Sequence, residues 1–526
     1  MRREALTSPR PLWFLPLLLV AVAACTSGGS GGAATLTPTD DPSSTASLTP
    51  TATPNASLTF DNCQFSVPDG HDVTCGYLIV PEDRSDPDSD TIRLHVAVFK
   101  STSDAPSEDA IIYLDGGPGG HTLEGLEFSF EGSFEDLLFD RDVILFDQRG
   151  LGFSEPALHC PEIDDAFLES LSEELTEGEL SRLAVQAAGE CRDRLNGDGV
   201  DLDSYNSAES ASDVDDLRRI LGYEEWNLYG ISYGTKLALT IARDHPEGIR
   251  SMVLDSTYPL EVDLYADGPA NTIRSLNVLF DQCDADSACA AAYPELEQVL
   301  LQEMERLQSD PTSADLFNPF TGAVFRDALI DGEALIGTLF QSMYDFTAFP
   351  LLPEMIYDVQ AGDYNTLADL MGFFLAQDDF STTGMHLSVQ CHEEISFTSE
   401  QAIIDAAGEY PPYESYLASG AGELFDTCAV WSDAGAPAIE NEAVVSDIPT
   451  LVMAGEWDPI TPPSWGAAVA GNLANSTFVE FPGLGHGVSV GDSCPRSIML
   501  NFLTSPESSL NLSCVERMDE PFFFVP

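Results

Sequence analysis

WNLYGISYGTKLALT, residues 226–240, is an apolar run that breaks at Gly230-Ile231-Ser232-Tyr233-Gly234 and resumes as a helix-like run from Thr235 to Arg243. Those are the parts of a strand, a tight turn and a helix. A serine at the centre of the turn, with glycine two places to either side, is what a nucleophile elbow requires. The turn strains the serine backbone, and a side chain at Gly230 or Gly234 would collide with the neighbouring strand or helix. The Ser232 hydroxyl then stands at the carboxyl end of a sheet. A helix N-terminus behind it favours developing negative charge. A GxSxG alone is a weak signal, since Gly and Ser are common, so its weight depends on the rest of the chain.

Outward from the elbow, strand and helix patterns alternate. Thr91 to Phe99 (TIRLHVAVF) sets Ile92, Leu94, Val96 and Val98 on one face, as a half-buried antiparallel strand would. Ala110 to Leu114 (AIIYL) and Val143 to Phe146 (VILF) are apolar throughout, as strands covered on both faces are. Ser212 to Leu221 reads as a capped helix, and Ser251 to Leu254 as the strand after the elbow helix. The rhythm implies a mostly parallel α/β sheet. From about Glu261 to Glu442 it changes. Strand-like runs are scarce, and helical stretches such as Thr272 to Phe280, Glu295 to Leu307 and Glu333 to Tyr344 dominate. This reads as an inserted helical cap. The sheet resumes at Thr450 to Ala454 (TLVMA) and Thr477 to Phe481.

A serine nucleophile needs a base, and the base needs an acid to orient it. Asp458 follows the TLVMA strand in Gly455-Glu456-Trp457-Asp458-Pro459-Ile460-Thr461-Pro462. His486 follows the next strand in Gly483-Leu484-Gly485-His486-Gly487, one of only eight histidines. The order Ser232, Asp458, His486 is that of the α/β-hydrolase fold, which becomes the expected class: a mostly parallel sheet with the helical cap inserted. The acyl-transfer oxyanion needs backbone donors. Tyr233 N–H, next to the nucleophile, is one. The AIIYL strand runs into Asp115-Gly116-Gly117-Pro118-Gly119-Gly120, where Gly117, with Gly116 as the alternative, supplies the other. Asp115 reads as a brace for that loop, Asp255 as structural, and Asp426 as lacking a suitable loop.

The combination of GGPGG (Gly116 to Gly120), DQRGLGFS (Asp147 to Ser154), GISYG, GEWDPITP and GLGHG resembles the prolyl and tripeptidyl aminopeptidase family of serine peptidases, in its secreted tripeptidyl branch. The resemblance covers roughly Phe60 to Val515. Asp115 departs from the commoner His, and Asp310 to Gln377 matches no motif. The resemblance implies release of short pieces from a free amino terminus by acylation of Ser232, with His486 as base and Asp458 as its orienting acid. Such an exopeptidase needs a carboxylate for the substrate ammonium. Glu393 and Glu394, in Cys391-His392-Glu393-Glu394, are the candidates, because a disulfide there would hold them still. Whether one or three residues leave stays open. A carboxylic-ester hydrolase on the same fold is the alternative, since fold and triad do not choose a substrate.

The chain's 526 residues carry 88 acidic and 21 basic side chains, a formal charge of -67. That excludes nucleic acid as a partner, because phosphates demand Lys and Arg. It suits solubility, salt tolerance or attraction of cationic groups such as a peptide amino terminus. Peptides with a free amino terminus are the expected partners and a monomer the expected state. Arg2, Arg3 and Arg10 precede the apolar Pro11 to Ala24, too short to span a membrane comfortably, and Val22-Ala23-Ala24-Cys25 resembles a lipoprotein signal with Cys25 lipidated. The expected location is extracytoplasmic, anchored to the outer face of the membrane through that lipid alone, or otherwise secreted. Residues 26–58 read as a Ser/Thr/Pro/Gly tether. The rest divides into a first core part, 59–260, the cap, 261–442, and a second core part, 443–526. Besides Cys25, ten cysteines fall into neighbouring pairs: Cys63 and Cys75, Cys160 and Cys191, Cys283 and Cys289, Cys391 and Cys428, Cys494 and Cys514. An even count in an exported chain suggests disulfides. Connectivity stays open from sequence, with sequential pairing the expectation. No CxxC or His/Cys cluster supports a metal site, and no cofactor is expected.

Overall fold

Nine strands lie side by side in one sheet, and their order explains the elbow's central place. In chain order they are β1 (Ser57–Asp61), β2 (Val73–Pro81), β3 (Thr91–Phe99), β4 (Ala110–Leu114), β5 (Asp142–Phe146), β6 (Trp226–Ile231) and β7 (Ile249–Asp255), then, past a separate hairpin of β8 (Thr312–Phe317) and β9 (Val324–Ile330), β10 (Thr450–Gly455) and β11 (Ser476–Phe481). Across the sheet the order is β1-β2-β3-β5-β4-β6-β7-β10-β11. The pairings from β5 to β11 are all parallel, and β1, β2 and β3 join antiparallel at one side. The computed structural model describes residues 56–173, 175–376, 381–432, 434–518 and 521–526. The signal segment, Cys25 and nearly all of the expected tether lie outside the described residues. The tether's last two residues, Ser57 and Leu58, belong instead to β1, paired with Ile79 and Leu78.

The apolar runs become the sheet's centre because helices cover both of its faces. All six residues of β6 and all five of β4 are buried. Leu228, Ile112, Leu254 and Leu237 pack in one core layer, while Tyr113, Tyr229, Val253 and Met453 pack in the other. Each fully buried Leu or Ile side chain contributes about 1.5–3 kcal/mol. β3 departs from its half-buried expectation. Its second face, His95, Ala97 and Phe99, is also buried, because the Cys63–Cys75 disulfide region and Phe130 cover it. The helix expected from Ser212 starts earlier and spans Ser207–Leu221, since the Asn206 side chain caps it by accepting from Glu209 N.

Between β7 and β10 the chain is mostly helical, beginning with Leu264–Ala285. The hairpin β8–β9 lies within this region, where sequence shows strand-like runs to be scarce; its exposed face makes its period faint. This region has a core of its own, built on residues such as Leu276, Leu300, Leu335 and Phe349. Trp457, from the loop after β10, is buried within that core. Five disulfides join the cysteines that are neighbours in sequence, each with Cα atoms 5.0–5.8 Å apart. Such bonds belong to an oxidising, extracytoplasmic compartment. Among the described residues, no helix is long and apolar enough to cross a membrane.

Candidate active site

Ser232 caps the elbow helix Tyr233–Asp244 with φ 57° and ψ -126°, a conformation disfavoured for a residue with a side chain. Its surroundings hold it there. A Cβ at Gly230 would lie 2.3 Å from Gly234 O, and one at Gly234 only 1.9 Å from Leu114 O. The helix therefore starts in direct contact with the end of β4, and Ser232 N donates to Asp255 O at 3.0 Å. This contact brings the Asp115–Gly120 loop beside the elbow, so Gly117 and Tyr233, the expected donors, belong to adjoining segments. Gly117 has φ +119°, accessible to glycine, and a Cβ there would be 2.3 Å from Gly119 N.

Asp115 braces this loop. Its carboxylate accepts from Gly116 N at 2.8 Å, Tyr113 Oη at 3.1 Å and Thr122 Oγ1 at 2.9 Å. Burial pushes its pKa up to about 6 against those donors. The DQRGLGFS run supports it from below. Gln148 Nε2 donates to Asp115 O, while Asp147 accepts from Leu123 N and Phe153 N. Arg149, fully buried, forms a two-pronged pair with Asp213. From the other side, Thr382 N donates to Gly119 O at 2.9 Å and His121 Nε2 lies 2.5 Å from Thr382 Oγ1. His386, whose pKa burial lowers to about 4, is neutral and donates from Nδ1 to Pro118 O at 3.2 Å.

Asp458 and His486, the expected acid and base, come together at the ends of β10 and β11. Asp458 Oδ2 lies 2.8 Å from His486 Nδ1, with both side chains almost wholly buried. Thr461 joins them: its hydroxyl donates to Asp458 Oδ2 at 2.7 Å, and its N–H, with that of Ile460, donates to Oδ1. Burial opposes ionisation of Asp458, but His486 and the Thr461 donors outweigh it and hold the carboxyl below its usual range. His486 Nε2, across the ring, is buried and makes no hydrogen bond among the described residues. The loop bearing His486 is tied back to the elbow's neighbour strand. Asp255 accepts from Val488 N, Ser489 N and Ser489 Oγ, and Gly487 N donates to Ser256 Oγ. Asp255 thus serves the fold, and Asp426 is exposed on its helix.

Glu393 and Glu394 sit on a π-helical turn, Gln390–Glu394, next to the Cys391–Cys428 bond. The structure carries them to the elbow helix, where both face Lys236. Glu393 also accepts from Ser207 N and Ser207 Oγ, and that hydroxyl meets Tyr233 Oη at 2.8 Å. Lys236 is held above its usual pKa: burial opposes its charge, and Glu394 and Glu393 overcome that. Nearby Glu440 is raised to about 7 by burial and by Glu393. The sequence assigns no role to Thr461 or Tyr344. Thr461 stands within the GEWDPITP run, three residues past the acid, so a signal existed. Tyr344, whose carbonyl accepts from His486 N at 3.0 Å, lies in a stretch without motifs. Among the described residues, no group of three His, Cys, Asp or Glu is arranged to hold a metal ion.

A family model described as alpha/beta hydrolase fold matches residues 109–275, and one described as TAP-like protein matches residues 414–514. The first span contains the glycine loop and the elbow; the second contains Asp458 and His486. Serine protease Hip1 of Mycobacterium tuberculosis is 27% identical over 482 residues, covering 85% of this chain and 88% of that protein. Tripeptidyl aminopeptidase of Streptomyces coelicolor is 30% identical over 195 residues, 35% of each chain. Among solved structures, proline iminopeptidase of Mycobacterium smegmatis aligns at 15% identity with a TM-score of 0.36, covering 82% of this chain and 98% of that one.

Proposed function

The chain belongs to the α/β-hydrolase family of serine peptidases, and from that premise we propose that it is an aminopeptidase of prolyl- or tripeptidyl-releasing type. The observation that carries the reading is the buried Asp458–His486 pair, with the His486 loop tied to Asp255, whose carbonyl also accepts from Ser232 N. Ser232 Oγ attacks the scissile carbonyl, and His486 Nε2 takes its proton and passes it to the leaving amine. Asp458 holds the imidazole with Nδ1–H toward itself and stabilises the imidazolium. Tyr233 N–H and Gly117 N–H receive the oxyanion. Water then attacks the acyl-enzyme through the same base, regenerating Ser232.

Preference for a free amino terminus rests on charge. Two carboxylates, Glu393 and Glu394, share Lys236, with Glu440 close by. The surplus negative charge beside the elbow suits a substrate ammonium. Peptides with a free amino terminus are accordingly the proposed substrates, cleaved by a monomeric enzyme held at the outer membrane face through lipid on Cys25. Mass spectrometry of the mature amino terminus tests that anchor: a diacylglyceryl mass on Cys25 is expected, and an unmodified start elsewhere overturns it.

Peptidyl arylamides of one, two and three residues, each with a free and an acetylated amino terminus, test the activity. Turnover of the free series only is expected. Equal turnover of both, or hydrolysis confined to acyl esters, would replace the aminopeptidase reading with that of a carboxylic-ester hydrolase. Ser232→Ala should lower kcat by at least about 10⁴-fold with the melting temperature kept.

A further inference from the structure

The acid loop is held by the inserted region as well as by the sheet, where Glu456 N donates to Phe481 O and Asp458 N to Gly455 O. Asn271, Arg274 and Ser275 are spaced by three and four residues on the helix Leu264–Ala285, so they share one face. That face meets the backbone after β10. Arg274 Nη1 donates to Glu456 O at 2.5 Å and Nη2 donates to Asp458 O. Ser275 Oγ donates to Trp457 O at 2.6 Å, and Asn271 Nδ2 reaches Ile460 O at 3.4 Å. Four carbonyls of the segment that carries Asp458 thus find their donors on one helix. The Trp457 ring stacks on Phe349, also of the inserted region, at 4.2 Å. The base is held from the same side, through the His486 N–H to Tyr344 O bond and the Tyr344 ring, 5.0 Å from the imidazole.

We propose that Arg274 is a positioning residue for the Asp458–His486 pair, clamping the acid loop so that the placement of the inserted region sets the geometry of catalysis. This rests on Ser232, Asp458 and His486 being the catalytic residues. A guanidinium suits the task because its planar fork spans the carbonyls of two residues, 456 and 458, on either side of Trp457. Its charge has a use as well. Among the described residues no carboxylate lies within ion-pair distance of Arg274. Burial lowers its pKa, and the attraction that opposes this comes first from Asp458, then from Glu480 and Glu456. The attraction is mutual, so Arg274 favours the ionised Asp458 on which the imidazolium depends.

The test uses Arg274→Gln and Arg274→Lys in the full chain, with a free-amino peptidyl arylamide and a small acetyl ester as substrates. The ester asks nothing of a peptide pocket. A displaced acid loop lowers kcat on both substrates by about 10- to 100-fold, with KM within about threefold and fluorophosphonate labelling of Ser232 slowed in step. Arg274→Lys should recover part of the loss, since an ammonium still reaches one carbonyl. If the Gln variant does not fold, Ser275→Ala removes a single donor from the same clamp and should show a smaller fall in kcat of the same pattern. A raised KM on the peptide with ester turnover unchanged would overturn the proposal and make Arg274 part of the substrate pocket. Unchanged kinetics in every variant would overturn it outright. Ser232→Ala, run in parallel, separates the premises: if it stays active the triad reading falls, whereas an inert Ser232→Ala beside fully active Arg274 variants sinks only the clamp.

Discussion

Gly234 has no room for a side chain. A Cβ would stand 1.9 Å from Leu114 O, 2.7 Å from Leu114 C and 3.1 Å from Asp115 O, all backbone that cannot swing aside. Gly234→Ala should therefore push the elbow helix off β4, costing about 1–3 kcal/mol or more in stability and separating Tyr233 N–H from the glycine loop. A thermal melt and a kcat measurement check this, and wild-type values for both would mean the helix can retreat freely. Asp115 offers a test through pH. Its pKa stands at about 6 in the fold, against 3.8 for the ordinary group, because burial disfavours its charge. Between those values the folded state binds more protons than the unfolded one, so this contribution is complete below the lower value and lost as pH rises through about 6. A shift of this size corresponds to at most about 3 kcal/mol. Asp115→Asn keeps an acceptor for Gly116 N and Tyr113 Oη without the charge. Its melting temperature relative to the wild type should be more favourable at pH 7.5 than at pH 5; a constant gap would place the titration elsewhere.

The elbow helix is joined to the inserted region through a buried ion cluster. Lys236, one turn past Ser232, meets Glu393 and Glu394, and the Cys391–Cys428 bond fixes the turn that bears them. Removing the cation would strand two buried carboxylates. Lys236→Met should cost about 3–5 kcal/mol, read as a lowered denaturation midpoint, and adding Glu394→Gln should restore part of it. A double variant no more stable than the single would show that Glu394 finds another partner. The disulfide and the cluster act on one short turn, so their losses should not add. Elements such as β4, β6 and β10 were legible at nearly their full lengths because uninterrupted apolar runs suit strands buried on both faces. The start of Ser207–Leu221 was not, since the Asn206 cap lies before the amphipathic period begins. The face of Leu264–Ala285 that bears Asn271, Arg274 and Ser275 is polar and looks solvated in sequence, yet it is turned onto the acid loop.

A formal charge of -67 acts on the whole molecule. Self-repulsion lowers the stability of the folded state, and salt screens it: the Debye length shrinks from about 30 Å at 0.01 M to about 8 Å at 0.15 M. Raising NaCl across that range should raise the melting temperature. It should also lower kcat/KM for a free-amino peptide more than for an acetylated ester, because only the former is drawn by the field. Equal salt responses for the two substrates would confine charge recognition to short range. Five disulfides act against the same repulsion by restricting the unfolded chain. The sheet and the inserted region meet where Trp457 enters the second core, one residue before Asp458. The acid loop is therefore shared by both parts of the molecule.

The amino-acid order alone carried the α/β class, the elbow and the candidates Ser232, Asp458 and His486, because each depends on local rules: apolar runs for buried strands, glycines where a Cβ cannot fit, and a fixed succession of loops after successive strands. It made neighbouring cysteines the expected partners but left their connectivity open, and the fold joined them so. Folding across long separations decided the rest. Only that brings Arg274 to Asp458, Tyr344 to His486, and Glu393 to Lys236 and Ser207. These contacts join residues with no shared period or motif, and their chemistry of carbonyl capture and charge compensation arises only when distant backbone is buried and its polar groups need partners.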